Sequence, residues 1–262
     1  MNGGAQIIRP TWVEIDQAAI RANLRGIKAL VGPERPVMAV IKAEAYGHGA
    51  SSVAKLAQAE GIAWFGVALP EEGIALRQAG VDGNILVFAP CLPEQARAFC
   101  AYDLVATITS GESAAALSQE MIRRGQKLRA HIKVDTGMGR IGFLAAEGGA
   151  AIEKSFSLPG LSIEGIYTHF ATADAADLTY ARQQLRTFTR LLQELESKGI
   201  SFPLKHMANS GGILNLPESY FDMVRAGLIL YGMLPSPWCE QGKIKLKPAF
   251  SLKTKVVFVK RV

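Results

Sequence analysis

The sequence predicts an α/β fold in which strand-and-helix units close into a (β/α)8, TIM-type barrel. Short apolar runs alternate with amphipathic segments at a spacing of roughly thirty residues, as in parallel sheets with right-handed crossovers. About eight such units favour a closed barrel over an open sheet. No glycine-rich dinucleotide turn follows the first strand, which further disfavours a doubly wound sheet.

The strands are predicted from apolar runs and the helices from an apolar stripe of helical period. The run "PVMAVIKA" (36–43) is continuously apolar, as expected for a strand buried on both faces of a parallel sheet. Strands are expected at 11–16, 36–43, 64–69, 84–90, 104–109, 129–135, 161–170 and 204–209. Helices are expected at 20–31, 49–59, 71–79, 93–101, 112–124, 177–198 and 211–215.

Length and composition limit the possible functions. The chain has 262 residues, nearly half of them hydrophobic, which permits one large domain or two small ones. The 29 Lys and Arg residues outnumber the 23 Asp and Glu residues, giving a net charge of +6. These cations are scattered rather than gathered with aromatic residues on one face, so we do not expect nucleic-acid binding.

Cysteine content and hydropathy predict a soluble cytoplasmic protein. Cys91, Cys100 and Cys239 are odd in number and lack metal-like spacing, so neither a disulfide framework nor a metal site is expected. The N-terminal stretch "MNGGAQIIRPTW" (1–12) lacks the pattern of a signal peptide. No apolar run reaches the roughly 20 residues needed to cross a bilayer, so no membrane association is expected.

Polar side chains recur where the predicted strands end, which is where barrels carry their active sites. These residues are Lys42, Arg140, His169, Asn209, Ser210 and Arg225. Taken singly, each has a structural explanation: a snorkelling lysine, a core histidine like His131 and His206, or an arginine in an ion pair. Lys133 likewise fits an inward-facing lysine paired with Asp135 or with an acid that is bound to an arginine. Convergence from five strand ends is harder to explain by packing, so we expect a site there.

The chemistry that uses such a set is imine formation by Lys42. Desolvation by an apolar wall lowers the pKa of an amine, which makes it nucleophilic near neutral pH. An aldehyde cofactor such as pyridoxal phosphate also needs a phosphate cradle of backbone N–H groups and hydroxyls. The candidates for this cradle are Tyr46, Ser210 and the amides of Gly227 and Leu228, with His169 packed on the ring.

Five motifs resemble segments of the barrel domain of the alanine racemases, which are pyridoxal phosphate enzymes of fold type III. They are "AVIKAEAYGHG", "HIKVDTGMGRIG", "THFATAD", "HMANSGG" and "MVRAGLILYG". The match runs in order along nearly the whole chain, which makes it far more specific than a single pattern. The resemblance implies an isomerase that interconverts L- and D-alanine, the latter for cell-wall peptidoglycan.

The resemblance also implies a role for each matching residue. Lys42 holds the cofactor as an internal aldimine and moves the Cα proton on the D-alanine side. Arg225 donates to the pyridine nitrogen, Arg140 interacts with the phenolic oxygen and the substrate, and Lys133 matches a lysine that is often carbamylated. The implied cofactor-binding set is Lys42, Tyr46, His169, Asn209, Ser210, Arg225, Gly227 and Leu228.

Alanine racemases continue beyond the barrel into a β-rich domain, and this affects the expected activity. We assign 1–242 to the barrel and 243–262 to the first strand of such a domain, and so expect a truncated racemase. The family's second base, a tyrosine, lies in that domain, and the domain covers the partner's barrel in a homodimer. Because two-base racemisation needs a proton donor on each face of the carbanion, we expect impaired activity. Whether this chain dimerises stays open.

Two other functions fit part of the sequence. A single-barrel protein that binds or carries pyridoxal phosphate without turnover needs no second domain, but its final strand at 247–262 would lack a partner. An amino-acid decarboxylase on the same barrel usually places an acid at the pyridine nitrogen, where this chain has Arg225. Both are therefore less favoured than the racemase.

Overall fold

The computed structural model describes residues 9–239 and 242–262. Residues 1–8, on which the prediction about a signal peptide partly depends, lie outside the described residues. The strands are β1 (Thr11–Ile15), β2 (Val37–Val40), β3 (Trp64–Val67), β4 (Asn84–Pro90), β5 (Leu104–Ile108), β6 (Leu128–Asp135), β7 (Phe143–Leu144), β8 (Leu161–Tyr167), β9 (Leu204–His206), β10 (Val224–Ala226) and β11 (Phe250–Thr254).

The right-handed helices lie between these strands. They are α1 (Gln17–Val31), α2 (Ala50–Ala59), α3 (Pro70–Gln78), α4 (Ala96–Ala101), α5 (Gly111–Arg123), α6 (Gly149–Phe156), α7 (Thr179–Ser197) and α8 (Ser210–Asn215). Short 3-10 turns cover Pro93–Gln95, Pro217–Ser219 and Leu228–Tyr231. The predicted helices all form, and α6 is one that the periodicity did not predict.

Eight parallel strands form a nearly closed barrel in the order β10-β2-β3-β4-β5-β6-β8-β9. β10 and β9 are the two ends of that order. A parallel bridge between His206 of β9 and Met223, the residue before β10, connects them. The short strand β7 pairs with β6 beside the barrel. The predicted fold class, a TIM-type barrel, is confirmed.

The first predicted strand is not a barrel strand, which corrects the expected count. β1 pairs antiparallel with β11, with Thr11 opposite Thr254 and Ile15 opposite Phe250. The eighth barrel strand is instead β10, a three-residue strand containing the buried Arg225. Lys42 therefore follows the first barrel strand rather than the second. β1 and β11 lie on opposite sides of the predicted domain boundary at residue 242, so the ribbon that they form joins the two predicted domains. The boundary itself stays a prediction.

Side chains from the barrel strands pack into two separate layers. Alternate strand residues such as Met38, Leu86 and Val105 form a small cluster with Trp64, Tyr167 and Met223 inside the barrel. Their neighbours in sequence, such as Ala39, Ile85 and Ala106, belong to the larger cluster between the sheet and the helices. Because both faces of each strand are buried, the strands are continuous apolar runs.

The described residues contain neither a helix suited to spanning a membrane nor a cluster of metal-ligating side chains. In this part of the chain no helix is both long and apolar enough to cross a membrane. Within the same residues, no three His, Cys, Asp or Glu side chains are grouped so that they could hold a metal ion.

Candidate active site

A cavity of about 460 Å³ is lined by residues at the carboxyl ends of the barrel strands. This volume lies in the range of small-molecule sites, about 300–1,000 Å³. The residues predicted for the site all line it: Lys42, Tyr46, Lys133, Arg140, His169, Asn209, Ser210, Arg225, Gly227 and Leu228. The structure thus brings these residues together, while the role of each one stays a prediction.

Lys42 begins a left-handed turn, Lys42–Gly47, where the sequence predicts the end of a strand. β2 already ends at Val40. The left-handed residues are Ala43, Glu44, Ala45 and Tyr46, with φ values of 50°, 54°, 54° and 54°. Each such residue with a Cβ costs roughly 1–2 kcal/mol, so the turn persists only because its surroundings hold it. It places both Lys42 and Tyr46 on the cavity wall, with the Lys42 Nζ 6.0 Å from the centre of the Tyr46 ring.

Aromatic packing supports this turn on the side away from the cavity. The Nδ1 of His48 lies 2.9 Å from the carbonyl oxygen of Ala45 and therefore donates to it. The His48 ring packs against Tyr231, with 4.4 Å between ring centres. Tyr231 is buried and donates from its hydroxyl to the carbonyl oxygen of Val40 at 2.9 Å. Tyr231 therefore serves packing at this end of the barrel.

Arg225 is a buried cation without an acidic partner among its hydrogen bonds. Only 3% of the residue is exposed. Its guanidinium bonds to His206 Nδ1 (2.9 Å), His169 Nδ1 (3.1 Å), the Thr168 carbonyl (2.8 Å) and the Met207 carbonyl (3.0 Å). Burial lowers the pKa of Arg225 to about 10, so the group is still charged at neutral pH. The ion-pair explanation for Arg225 is therefore wrong.

The bonds of Arg225 determine the tautomers of three histidines. Because guanidinium only donates, His206 and His169 each accept through Nδ1. His206 then donates from Nε2 to Nδ1 of His131 at 3.0 Å, so both are core histidines, as predicted. Burial lowers the pKa of His131 to about 3, and burial with Arg225 nearby holds the pKa values of His169 and His206 well below the ordinary value. All three rings are therefore neutral at pH 7.

Lys133 is buried, with 2% exposed, and does not pair with Asp135 as its structural explanation required. Its Nζ donates to the carbonyl oxygens of Val134 (2.8 Å) and Ile141 (3.2 Å). Burial first, and then the charge of Arg225, lower the pKa of Lys133 to about 7. A large fraction of this amine is therefore neutral, and nucleophilic, at neutral pH.

Asp135 instead organises the turn that carries Arg140. Its carboxylate accepts from the backbone N–H groups of Gly137 (2.8 Å), Met138 (2.8 Å), Gly139 (3.2 Å) and Arg140 (3.0 Å). Burial raises the pKa of the Asp135 carboxyl, but these donors together outweigh burial and leave the pKa below its usual value. The glycine-rich turn is thus fixed by one charged side chain at the end of β6.

Ser210, Gly227 and Tyr46 surround a space suited to an anion. The Ser210 Oγ accepts from the Gly227 N–H at 3.1 Å, which leaves its own proton free to donate. A Cβ on Gly227 would lie 3.5 Å from the Tyr46 hydroxyl and 3.6 Å from the Ser210 Oγ, so glycine keeps the space between these hydroxyls open. Asn209 accepts from the Gly212 N–H at 3.0 Å and caps the helix that Ser210 begins. Hydroxyls and helix-start amides of this kind bind phosphate.

The cavity is strongly cationic. Its lining includes Lys42, Lys133, Arg140 and Arg225, against Asp174 as the one carboxylate among the described lining residues. Among these cations Arg225 is both buried and charged, and no acidic side chain bonds it. The cavity is therefore suited to an anionic ligand.

Sequence reasoning missed several lining residues, including Leu69, Phe88, Tyr167 and Asp174. The Tyr167 ring stacks on His206 at 4.8 Å with an interplanar angle of 5°. Its hydroxyl donates to Thr107 Oγ1 at 2.9 Å, because that oxygen's own proton bonds the Val87 carbonyl. Tyr167 comes just before Thr168 and His169 at the end of β8, and that position could have identified it.

The fold and the site together define a class: a (β/α)8 barrel that presents a lysine to a cavity lined by cationic side chains at the carboxyl ends of its strands. The family described as "Alanine racemase, N-terminal domain" matches residues 15–235, most of the chain. The chain therefore belongs to the alanine racemase family and comprises the N-terminal barrel domain.

Individual relatives agree with this assignment. An alanine racemase of Desulforamulus reducens is 45% identical over 254 residues, which cover 97% of this chain and 69% of the relative. The structure of the alanine racemase of Clostridium difficile 630 in complex with cycloserine superposes with a TM-score of 0.94 at 36% identity, covering 98% of this chain and 71% of that one. A histidine racemase of Leuconostoc mesenteroides is also similar, with a TM-score of 0.87 at 33% identity, covering 96% of this chain and 67% of that one.

Proposed function

We propose that this barrel binds pyridoxal phosphate through the Lys42 amine and serves the interconversion of L- and D-alanine. The observation that carries the proposal is that Lys42 and the space between Tyr46 and Ser210 line one cavity, together with the uncompensated cation Arg225. A cofactor with an aldehyde at one position and a phosphate at another matches that arrangement. Family membership supports the same reaction.

The residues of the cavity fit pyridoxal phosphate. The hydroxyls of Tyr46 and Ser210 and the amide of Leu228 would hold the phosphate, and the Gly227 amide, which donates to the Ser210 Oγ, would orient that hydroxyl. Arg225 would donate to the ring nitrogen, and His169, which Arg225 itself contacts, would lie beside the ring. Asn209 would act through the cap that fixes the Ser210 helix. The volume of about 460 Å³ accommodates a cofactor with a small amino acid.

The chain's own residues then control a proton at the substrate Cα. When bound, the cofactor withdraws electrons from Cα and makes its hydrogen acidic. Lys42 would take or return that proton on one face, acting as general base and acid. Arg225 would keep the ring nitrogen unprotonated because a guanidinium can only donate. This limits electron withdrawal and favours rapid return of the proton to Cα over side reactions such as transamination.

Lys133 is proposed to carry a carbamate, as its resemblance to the family implies. The neutral amine adds to carbon dioxide, forming an N–C bond and releasing one proton. The lowered pKa of Lys133, about 7, makes that neutral form abundant. The negative charge of the carbamate would compensate the positive charge of Arg140, which already interacts electrostatically with Lys133. Arg140 would then be held for the substrate and the phenolic oxygen of the cofactor.

Turnover by the 262-residue chain alone is proposed to be slow. Reaction in both directions needs a proton donor on each face of Cα, and Lys42 serves one face. The tyrosines that line the described part of the cavity have other contacts: Tyr46 adjoins the anion space, and Tyr167 bonds Thr107. A protein that binds the cofactor without turnover is therefore the second candidate function.

Borohydride trapping tests the proposal directly. The chain is incubated with pyridoxal phosphate, reduced with borohydride and mapped by peptide mass spectrometry. We expect one dominant adduct on the peptide that contains Lys42, and its loss in Lys42→Ala. Adducts spread over exposed lysines such as Lys55, with none on Lys42, would contradict the proposal.

Exchange of the Cα proton separates the racemase from the cofactor carrier. We expect the loaded chain to exchange the Cα proton of D-alanine into deuterated water faster than that of L-alanine. Trapping without any exchange would favour the carrier. Because one structural neighbour is a histidine racemase, the assay should include D-histidine, and preferential exchange of histidine would overturn alanine as the substrate.

A further inference from the structure

Glu72 makes three backbone hydrogen bonds directly behind the cavity wall. Its Oε1 accepts from the N–H of Ala43 at 2.6 Å, and its Oε2 accepts from Ala68 at 2.6 Å and Leu69 at 3.1 Å. Glu72 itself is absent from the cavity lining, whereas Ala68 and Leu69 belong to it. The carboxylate thus connects two segments that form the wall.

Only part of this arrangement is an ordinary helix cap. The bond to Leu69 is the one expected from the third residue of α3 to the residue that caps it. The bond to Ala43 lies outside that pattern, because it reaches a segment 29 residues earlier in the chain. Both oxygens of Glu72 are therefore occupied, and one of them is committed to the turn that follows Lys42.

The position of Ala43 gives that bond its importance. Ala43 directly follows Lys42 and is the first of the four consecutive left-handed residues. A run of left-handed residues with Cβ atoms is strained and persists only where neighbouring groups hold it. A hydrogen bond to a charged acceptor is stronger than one between neutral groups. Glu72 therefore holds the turn next to the residue that presents the amine.

We propose that Glu72 is a positioning residue for Lys42. By fixing the N–H of Ala43 against the end of β3, it keeps the left-handed turn in the conformation that directs the Lys42 side chain to the cavity. The link to cofactor binding rests on the proposed function, whereas the effect on the turn does not. Glu72 touches neither substrate nor cofactor and acts only through the backbone.

The Glu72→Gln variant tests this selectively. A glutamine has one acceptor atom, so it can keep the helix cap at Leu69 and Ala68 but then turns an amide N–H toward Ala43. Glu71→Gln is the matched control, because Glu71 is exposed and neighbours Glu72 in the same helical turn. Hydrogen exchange of the peptide 40–50 is measured without cofactor, and borohydride trapping on Lys42 is measured with it.

We expect amide exchange at Ala43 to become at least tenfold faster in Glu72→Gln, and the rate of trapping on Lys42 to fall at least fivefold. Both should be unchanged in Glu71→Gln, and the melting temperatures of the two variants should differ little. Unchanged exchange at Ala43 in Glu72→Gln would overturn the proposal. Faster exchange with an unchanged trapping rate would reduce Glu72 to a structural role. If the wild-type chain gives no Lys42 adduct, the proposed function fails, while the exchange result still decides whether Glu72 holds the turn.

Discussion

The Nη1 of Arg225 donates to the Nδ1 of His206 across 2.9 Å, and this bond assigns the protons of a buried chain of groups. His206 must donate onward to His131, because an arginine leaves it no other tautomer. If a side chain that accepts a hydrogen bond replaced Arg225, His206 would have to carry its proton on Nδ1. The directions of both hydrogen bonds of His206 would then be reversed.

Replacing Arg225 with lysine should destabilise the barrel. An ammonium has three donors, whereas the guanidinium satisfies four buried acceptors at once. At least one acceptor is left unpaired, at about 1–3 kcal/mol. Urea unfolding should therefore show a loss of about 2 kcal/mol for Arg225→Lys, whereas Arg186→Lys on the exposed face of α7 should change little. Equal stability of the two variants would contradict this account.

Acid should destabilise the protein below pH 6.5 because of the buried histidines His131 and His206 and the partly buried His169 of the cavity wall. The folded-state pKa of each lies below the unfolded value, so the unfolded chain takes up protons first as the pH falls. For His131, whose folded-state pKa is about 3, the stability present above pH 6.5 is lost by about 1 kcal/mol down to pH 5.5. His169 and His206 add losses in the same direction. The free energy of unfolding should therefore fall more steeply over this interval in the wild type than in His131→Asn, by about 1 kcal/mol. A flat profile would show that these rings charge in the folded state.

Gln184 should be needed to hold two loops of the site together. This fully buried residue on α7 accepts from the Ala171 N–H at 2.9 Å and donates to the His169 carbonyl at 3.1 Å and to Thr136 Oγ1 at 3.3 Å. Gln184→Leu keeps the volume but leaves these groups unpaired, so we expect a loss of about 2–3 kcal/mol in urea unfolding. The exposed neighbour variant Gln183→Leu is the control and should be near neutral.

Gly227→Ala should weaken cofactor binding and also cost some stability. The added Cβ meets its nearest atoms at 3.5 and 3.6 Å, which is ordinary contact, but the φ of −106° with ψ of −103° lies outside the regions that alanine favours. The methyl group also occupies the space between the hydroxyls of Tyr46 and Ser210. We expect the Kd for pyridoxal phosphate, measured by absorbance titration, to rise at least tenfold and the melting temperature of the cofactor-free chain to fall, because alanine disfavours this backbone conformation. Gly111→Ala, whose Cβ meets Ala151 at 3.8 Å, is the control.

Carbamate formation on Lys133 should follow the titration of its amine. With a pKa of about 7, the neutral fraction rises about tenfold per pH unit below 7 and levels off above it. Nuclear magnetic resonance with isotopically labelled bicarbonate, at constant dissolved carbon dioxide, should show that the initial rate at which the carbamate signal appears follows this dependence. The signal should be absent from Lys133→Met. A signal that persists in this variant would place the carbamate elsewhere.

The sequence predicted the barrel well because its strands are buried on both faces. Runs such as 84–90 and 104–109 are mostly apolar and are followed by stretches of helical period, and both became strands. β10 was not predicted as a strand, because the middle one of its three residues is an arginine that no local sequence pattern marks as buried. β1 was assigned to the barrel because a short strand before a helix carries no information about its partner, which is β11.

The site was predicted as a set of residues but not in its conformation. Polar residues at strand ends identified the lining, because parallel strands bring their carboxyl ends together. The left-handed turn after Lys42 could not be predicted, since alanine, glutamate and tyrosine favour right-handed structure. It depends on distant partners such as Glu72, and such tertiary contacts leave no local signal.

The β1–β11 ribbon also has a consequence for synthesis on the ribosome. Thr11 and Thr254, whose hydroxyls are bonded, are 243 residues apart in sequence. At translation rates of about 5–20 residues per second, β1 waits roughly 10–50 seconds for its partner. The nascent chain therefore exposes β1 without its partner while the barrel is still being made. Molecular chaperones that shield emerging β-strands should matter more for this segment than for any barrel strand, whose neighbour emerges soon after it.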